Sequence, residues 1–178
     1  LPTKVNLGFD FLINGDFIPD GTREFFHNIK WNDFLIEQSG FLFLKWIRSI
    51  GLKKAERNAG NFKFNRNYLS IIPDFTIIEN QIIDERNKYL LLSFKKGFEI
   101  SLLGTDEVAP IAFIPAQSGQ LEPLNNILID KTGIAELLPD DFKGLTGLSQ
   151  KLISSDTGEG LPKVEGLIKA YTIVGKLY

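Results

Sequence analysis

The segment between residues 31 and 50, which reads WNDFLIEQSGFLFLKWIRSI, constrains the fold more than any other part of the sequence. Its apolar residues recur at helical spacing, which predicts a long helix that Asn32 caps at its start and Gly51 closes. The apolar stripe is wider than a surface helix needs, so neighbouring segments should cover more than one side of it. Gly40 disfavours a helix by about 1 kcal/mol relative to Ala, and its presence therefore predicts a neighbour packed close to the backbone.

Shorter patterns place the remaining elements around this helix. Residues 5–18 alternate apolar with polar side chains, which predicts extended strands that end at a Pro19-Asp20-Gly21 turn. Residues 52–67 are polar and predict a loop. Further helices are predicted at about residues 76–96, 140–153 and 162–174, and short strands at 98–103, 111–114 and 127–129. The sequence therefore predicts an α+β (or mixed α/β) fold, with a small sheet, a long buried helix after the N-terminal strands, and a helical C-terminal part.

Composition excludes several classes of function. A chain of 178 residues is long enough for one domain, and its net charge of −2 argues against a general nucleic-acid binder. Cysteine is absent, which excludes disulfides, thiolate nucleophiles and cysteine-built metal sites, and His27 is the only histidine. No apolar run approaches the length of about 18 residues that spans a bilayer. The N-terminus lacks the pattern of a signal peptide, so a cytoplasmic location is expected.

Arg23 is the candidate functional residue. It follows the turn at residues 19–21, on a loop that a predicted strand enters and the long helix leaves. A guanidinium stays charged, can form two parallel hydrogen bonds to phosphate oxygens, and can stabilise charge that develops on a γ-phosphate. The alternative is structural, since Arg23 could instead pair with Asp20 or Glu24, or cap the helix. The residues alone leave both interpretations open.

Several short motifs in this region occur in a recognisable order. These are LPT (1–3), FLINGDFIPDGTRE (11–24) and WNDFLIEQ (31–38). Together they resemble the segment that follows the nucleotide-binding domain in GHKL-type ATPases, most closely the sacsin-like bacterial members and more distantly the middle domain of the ninety-kilodalton heat-shock chaperone. Thr22-Arg23-Glu24 match the S-R-E element of that family, with Thr in place of Ser. The resemblance covers about residues 1–50, and FIPAQSG (113–119) and LIDKTGI (128–134) extend it more weakly.

The resemblance implies a role for each part of the chain. Arg23 would be the catalytic γ-phosphate sensor, and Thr22 and Arg23 would contact the nucleotide. Residues 1–135 would form a middle-domain-like α/β module, on which residues 136–178 pack as a helical extension. ATP and Mg²⁺ would be held by a domain that precedes Leu1, so this chain would hold no cofactor and would have no activity alone. The expected partners are that upstream domain and a protein client, whereas nucleic acid and membrane are not expected.

Four other features have simpler interpretations. The DTGEG sequence at 156–160 matches a nucleotide-binding pattern but follows a predicted helix, so we interpret it as a turn. The basic and aromatic segment 53–68 could bind single-stranded nucleic acid, but a solvated loop is the simpler explanation. His27 lacks a partner that spacing would place beside it. The acidic pairs 106–107 and 140–141 are adjacent in sequence, and since neighbours on a helix or strand point apart, their adjacency is no evidence for a catalytic pair. The functional alternative is a non-enzymatic module that binds a protein or a single-stranded nucleic acid.

Overall fold

The computed structural model describes residues 3–57, 68–154, 157 and 160–173 of the chain, without the side chains of 52–57 and 173. Its helices are α1 (Lys30–Arg57), α2 (Phe75–Gln81), α3 (Glu85–Leu103), α4 (Asp140–Leu145), α5 (Leu148–Lys151) and α6 (Leu161–Ile173). Short 3₁₀ turns lie at Tyr68–Ile71, Leu124–Asn126 and Ile134–Leu137. Two strands, β1 (Ile114–Pro115) and β2 (Leu121–Glu122), pair antiparallel. The predicted α+β class is confirmed.

The centre of the fold is the crossing of α1 and α3 at two glycines. A Cβ atom added to Gly40 would overlap the carbonyl oxygen of Phe94 and lie 2.9 Å from the amide nitrogen of Phe98. A Cβ atom added to Gly97 would in turn overlap the carbonyl oxygen of Glu37. The two helix backbones are therefore in direct contact, and the close neighbour that Gly40 predicted is α3.

The N-terminal segment covers a second side of α1. Phe11 stacks on Phe43 of α1 with ring centroids 4.8 Å apart, and Phe9 packs on Phe94 of α3 at 4.6 Å. The predicted alternation holds, since Phe9, Phe11 and Ile13 pack against the core whereas Leu12 is exposed. The prediction of strands is wrong. Within residues 5–18 the described backbone forms no strand, because its apolar side chains pack on two helices and no neighbouring strand pairs with it.

The long helix differs from its predicted bounds. It continues through Gly51, whose hydrogen faces the Tyr68 ring, and the prediction of a loop is wrong for residues 52–57. Residues 58–67 lie outside the described residues. Asn32 lies inside the first turn and is not the cap: its side chain accepts from the Ile18 amide at 2.9 Å and donates to the carbonyls of Ile18 and His27, each at 2.7 Å. Asn32 thus holds the preceding segment onto the start of α1.

The predicted helix at 76–96 is two helices. The chain breaks at residues 82–84, and the Asp84 carboxylate begins α3 by accepting from the amides of Arg86 and Asn87 at 3.0 and 2.9 Å. The predicted strand at 98–103 is wrong, because α3 continues to Leu103. Phe98 and Leu102 are fully buried and extend the apolar stripe of α3 at helical spacing.

Two isolated bridges, Ala116 with Ile153 and Leu128 with Leu152, join the region of the small sheet to the C-terminal part. Of the predicted strand 111–114 only Ile114 belongs to β1, and of 127–129 only Leu128 pairs, through a single parallel bridge to Leu152. The predicted helix 140–153 is divided into α4 and α5, because Gly147 takes a left-handed φ of 68° between them. The predicted helix 162–174 corresponds to α6, whose Val164, Leu167 and Tyr171 join the core. The division at residue 135 stays a prediction.

Tyr68 joins the core to the sheet and provides a test of the packing. Its ring is buried, and its hydroxyl donates to the Phe113 carbonyl at 2.6 Å, beside β1. Burial raises the pKa of the Tyr68 hydroxyl well above its ordinary value, so the group stays a neutral donor.

We expect Tyr68→Phe to lower the free energy of unfolding by about 1–3 kcal/mol, because a buried carbonyl loses its partner. The matched control is Tyr89→Phe, which removes a half-exposed hydrogen bond to Asp33 and should cost about 0.5 kcal/mol or less in urea unfolding.

Candidate functional site

The loop that carries Arg23 is a turn built around one carboxylate. Oδ1 of Asp20 accepts hydrogen bonds from the amide of Thr22 at 3.1 Å and from its hydroxyl at 2.7 Å, and the Arg23 amide donates to the Asp20 carbonyl at 3.0 Å. The Thr22 hydroxyl oxygen accepts from the amide of Glu24 at 3.3 Å. The hydrogen bonds to Asp20, that of the Thr22 hydroxyl above all, lower the pKa of its carboxyl group. We call residues 20–25 the Arg23 turn; its shape depends on the Asp20 carboxylate.

Arg23 takes a backbone conformation that favours glycine. Its φ is 61°, and among the described residues every other positive φ belongs to a glycine. The side chain is exposed, and no ion-pair or hydrogen-bond partner for its guanidinium lies among those residues. Both acids that could have paired with it are engaged, Asp20 with Thr22 and Glu24 with Lys4. The ion pair of Arg23 with Asp20 or Glu24, one form of the structural alternative, is therefore not found among the described residues.

The chain contains the same turn a second time, at residues 130–135. Oδ1 of Asp130 accepts from the amide of Thr132 at 3.0 Å and from its hydroxyl at 2.7 Å, and the pKa of Asp130 is lowered mainly by that hydroxyl bond. The residue that corresponds to Arg23 is Gly133, whose φ is 72°. We call this segment the Gly133 turn. In the Gly133 turn a glycine occupies the left-handed position. In the Arg23 turn an arginine occupies it, although that conformation is sterically disfavoured for a residue with a side chain.

Exchanging the two residues tests this backbone strain. A non-glycine residue in the left-handed region is disfavoured by about 1 kcal/mol, so Arg23→Gly should raise the free energy of unfolding by about that amount. Gly133→Arg should lower it by about the same amount, since nothing lies within 4 Å of a Cβ built at Gly133 and only the backbone term changes. Urea unfolding of both variants measures this. Equal stability of wild type and Arg23→Gly would show that the position is not strained.

Three side-chain contacts fix the Arg23 turn and the adjoining Phe26 to the rest of the fold. The Phe25 ring lies under the Arg86 guanidinium of α3, 5.2 Å from the ring centroid, and Phe26 stacks on Phe17 at 4.4 Å. On the other side, Nζ of Lys4 pairs with the Glu24 carboxylate at 2.8 Å. The turn is thus held by α3 and by the N-terminal segment, while the Arg23 side chain faces solvent.

A groove of about 430 Å³ lies beside the turn. It is lined by Asp20, Phe26, His27, Asn28, Asp33, Glu85, Arg86, Tyr89 and Leu90. The Tyr89 hydroxyl donates to Asp33 at 3.0 Å, and that bond raises the pKa of Tyr89. Three carboxylates against one guanidinium make the groove net negative, so it does not suit a phosphate. His27 is exposed at its edge. Arg23 does not line the groove, and the described residues therefore offer a phosphate no enclosed site next to Arg23.

The other sequence features are placed as follows. Asp140 and Asp141 lie in the first turn of α4, and Asp140 pairs with Lys143 at 2.9 Å. Of the DTGEG motif only Thr157 and Gly160 are described, and of the basic segment 53–68 only the buried Tyr68 has a described side chain. Among the described side chains, no group of three or more acids or histidines could hold a metal ion. No described helix combines the length and the apolar character that crossing a membrane requires.

Sequence reasoning named Arg23 and Thr22 as candidates, and it singled out neither Lys4 nor the repeated turn. The repeat has a readable signal, Asp-x-Thr at 20–22 and again at 130–132. The Lys4–Glu24 ion pair has none, because the two residues are far apart in sequence. Comparisons of the chain with family models, with curated proteins and with solved structures find no match.

Proposed function

We propose that this chain is the transducer module of a GHKL-type, chaperone-like ATPase, in which Arg23 binds the γ-phosphate of a nucleotide held by an upstream domain. The observation that carries the proposal is the presentation of Arg23: it is exposed, without a partner among the described residues, and held at a φ of 61° on a turn that elsewhere uses glycine. Sparsely populated backbone conformations are concentrated at functional sites. The resemblance of residues 1–50 supports the same assignment.

The free guanidinium has the chemistry that this role needs. Two of its N–H groups can bind two γ-phosphate oxygens in parallel, and its charge stabilises the transferred phosphoryl group. The Thr22 hydroxyl donates to Asp20, which supports a role in shaping the turn, and its contact with nucleotide stays a prediction. ATP and Mg²⁺ would be bound by the upstream domain, and this chain alone would not hydrolyse ATP. Hydrolysis would change how the two domains dock, which is a mechanical output.

The test compares wild type with Arg23→Ala in a polypeptide that joins the nucleotide-binding domain to this chain. Two quantities are measured, the turnover of ATP and the affinity for a non-hydrolysable analogue. A large loss of turnover at unchanged affinity supports the proposal, and equal turnover rejects it.

One observation favours a second function, the binding of a protein partner or client. On α1, a stripe at helical spacing carries apolar side chains that are 44 to 52% exposed, namely Trp31, Phe34, Leu42 and Trp46. Exposed apolar side chains grouped along one stripe of a helix are typical of a protein-binding site. The stripe is apolar where a nucleic-acid site would be basic, which favours a protein partner over single-stranded nucleic acid. The two functions need different surfaces, so substitutions at Arg23 and at Trp46 separate them.

A further inference from the structure

Lys4 contacts the Arg23 turn through two bonds. Its backbone amide donates to the Glu24 carbonyl at 2.7 Å, and its Nζ pairs with the Glu24 carboxylate at 2.8 Å. Glu24 directly follows Arg23. On its other side Lys4 is close in sequence to Leu7, which is buried in the core. Lys4 therefore connects the core-bound N-terminal segment to the residue next to the candidate arginine.

The Lys4–Glu24 ion pair affects which carboxylates of the Arg23 turn can still bind the Arg23 guanidinium. Asp20 and Glu24 are the acids closest to Arg23 in sequence, and their carboxylates could compete with a phosphate for its guanidinium. Oδ1 of Asp20 accepts from the Thr22 hydroxyl, and Oε1 of Glu24 pairs with Nζ of Lys4. Both side chains of the Lys4–Glu24 pair are partly solvated, 66% and 46% exposed, so Lys4 weakens the competition of Glu24 without removing its charge from solvent.

We propose that Lys4 is a positioning residue for Arg23: it binds the Glu24 carboxylate, which otherwise pairs with the neighbouring guanidinium, and so leaves Arg23 free to meet a phosphate. This inference rests on the proposed function. In this inference Glu24 does not contact the nucleotide. Lys4 affects turnover only by leaving the Arg23 side chain unpaired.

The test uses the polypeptide that joins the nucleotide-binding domain to this chain. Lys4→Ala should lower ATP turnover about two- to fivefold at an unchanged KM for ATP, since an exposed ion pair contributes an effect of that size. Lys4→Arg should restore turnover because it keeps the charge. Lys96→Ala is the matched control: Lys96 also pairs with a glutamate at 2.8 Å and is 67% exposed, but its partner is Glu37, away from the Arg23 turn. Its turnover should equal that of wild type.

Two double variants separate positioning from a merely structural role. Lys4→Ala combined with Glu24→Gln should recover wild-type turnover, because no carboxylate is left to compete for Arg23. Lys4→Ala added to Arg23→Ala should cause no further loss. If Lys4→Ala is slow and Glu24→Gln does not rescue it, or if Lys4→Ala equals wild type while Arg23→Ala is slow, this inference is overturned and the proposed function stands. If Arg23→Ala itself equals wild type, the proposed function fails.

Discussion

Gly40→Ala should destabilise the fold by about 3 kcal/mol, at the upper end of what overpacking costs in protein cores. The added methyl group would overlap the Phe94 carbonyl oxygen and lie 2.9 Å from the Phe98 amide nitrogen. These are backbone atoms of α3, so no side chain can rotate away, and the two helices must separate. Their separation also loosens Phe43 and Phe94, whose rings pack at 5.9 Å between them. Urea unfolding followed by far-UV circular dichroism measures the loss.

A glycine in an open position of another helix is the control for this prediction. Gly166 lies within α6, and nothing is found within 4 Å of a Cβ built there. Gly166→Ala should be neutral or should stabilise the protein by about 1 kcal/mol, because alanine has the better helix propensity. If Gly40→Ala behaves like Gly166→Ala, the direct backbone contact of α1 with α3 is wrong.

Arg23→Ala should reduce ATP turnover about a thousandfold in the polypeptide that includes the nucleotide-binding domain, which is the range in which arginines act in phosphoryl transfer. Nucleotide affinity should be nearly unchanged, because the upstream domain holds adenine and Mg²⁺ in the proposal. The loss corresponds to about 4 kcal/mol of transition-state stabilisation. Single-turnover kinetics and binding of a non-hydrolysable analogue measure the two quantities separately.

Two further substitutions separate the charge of Arg23 from its backbone strain. Arg23→Lys keeps the charge but not the two-pronged geometry, so its turnover should lie between those of wild type and Arg23→Ala. Arg23→Gly removes the side chain and relieves the left-handed backbone, so it should be as slow as Arg23→Ala while gaining stability. Full turnover in Arg23→Gly would mean that the loop conformation, and not the guanidinium, carries the function.

The helix pair was the part of the fold that sequence could predict best. Periodicity at residues 31–50 and the glycine at position 40 both express one requirement, a long helix with a close neighbour. The prediction of a strand at residues 98–103 is wrong because a short apolar run fits a strand and a helix equally well. Only the packing against α1 determines that this segment is helical, since it buries Phe98 and Leu102 at helical spacing. The prediction of strands at residues 5–18 is wrong for a related reason. Alternation predicts which side chains are buried, but it does not predict whether a strand or a helix covers them.

The site was predictable in part. The turn residues around Asp20 and the position of Arg23 follow from local chemistry, which a sequence displays directly. The left-handed φ of Arg23 could not be predicted, because the sequence places there a residue that usually avoids it. Lys4 could not be found either, since tertiary contacts alone bring it to Glu24.

The glycine crossing divides α1 into two arms of unequal length. At about 1.5 Å per residue, the arm from Lys30 to Gly40 measures about 15 Å and the arm from Gly40 to Arg57 about 25 Å. Asn32 joins the short arm to the segment that ends in the Arg23 turn. Because the crossing at Gly40 lies nearer the start of α1, a given change of the crossing angle would displace the distal end of the helix about 1.7 times as far as the end that adjoins the Arg23 turn.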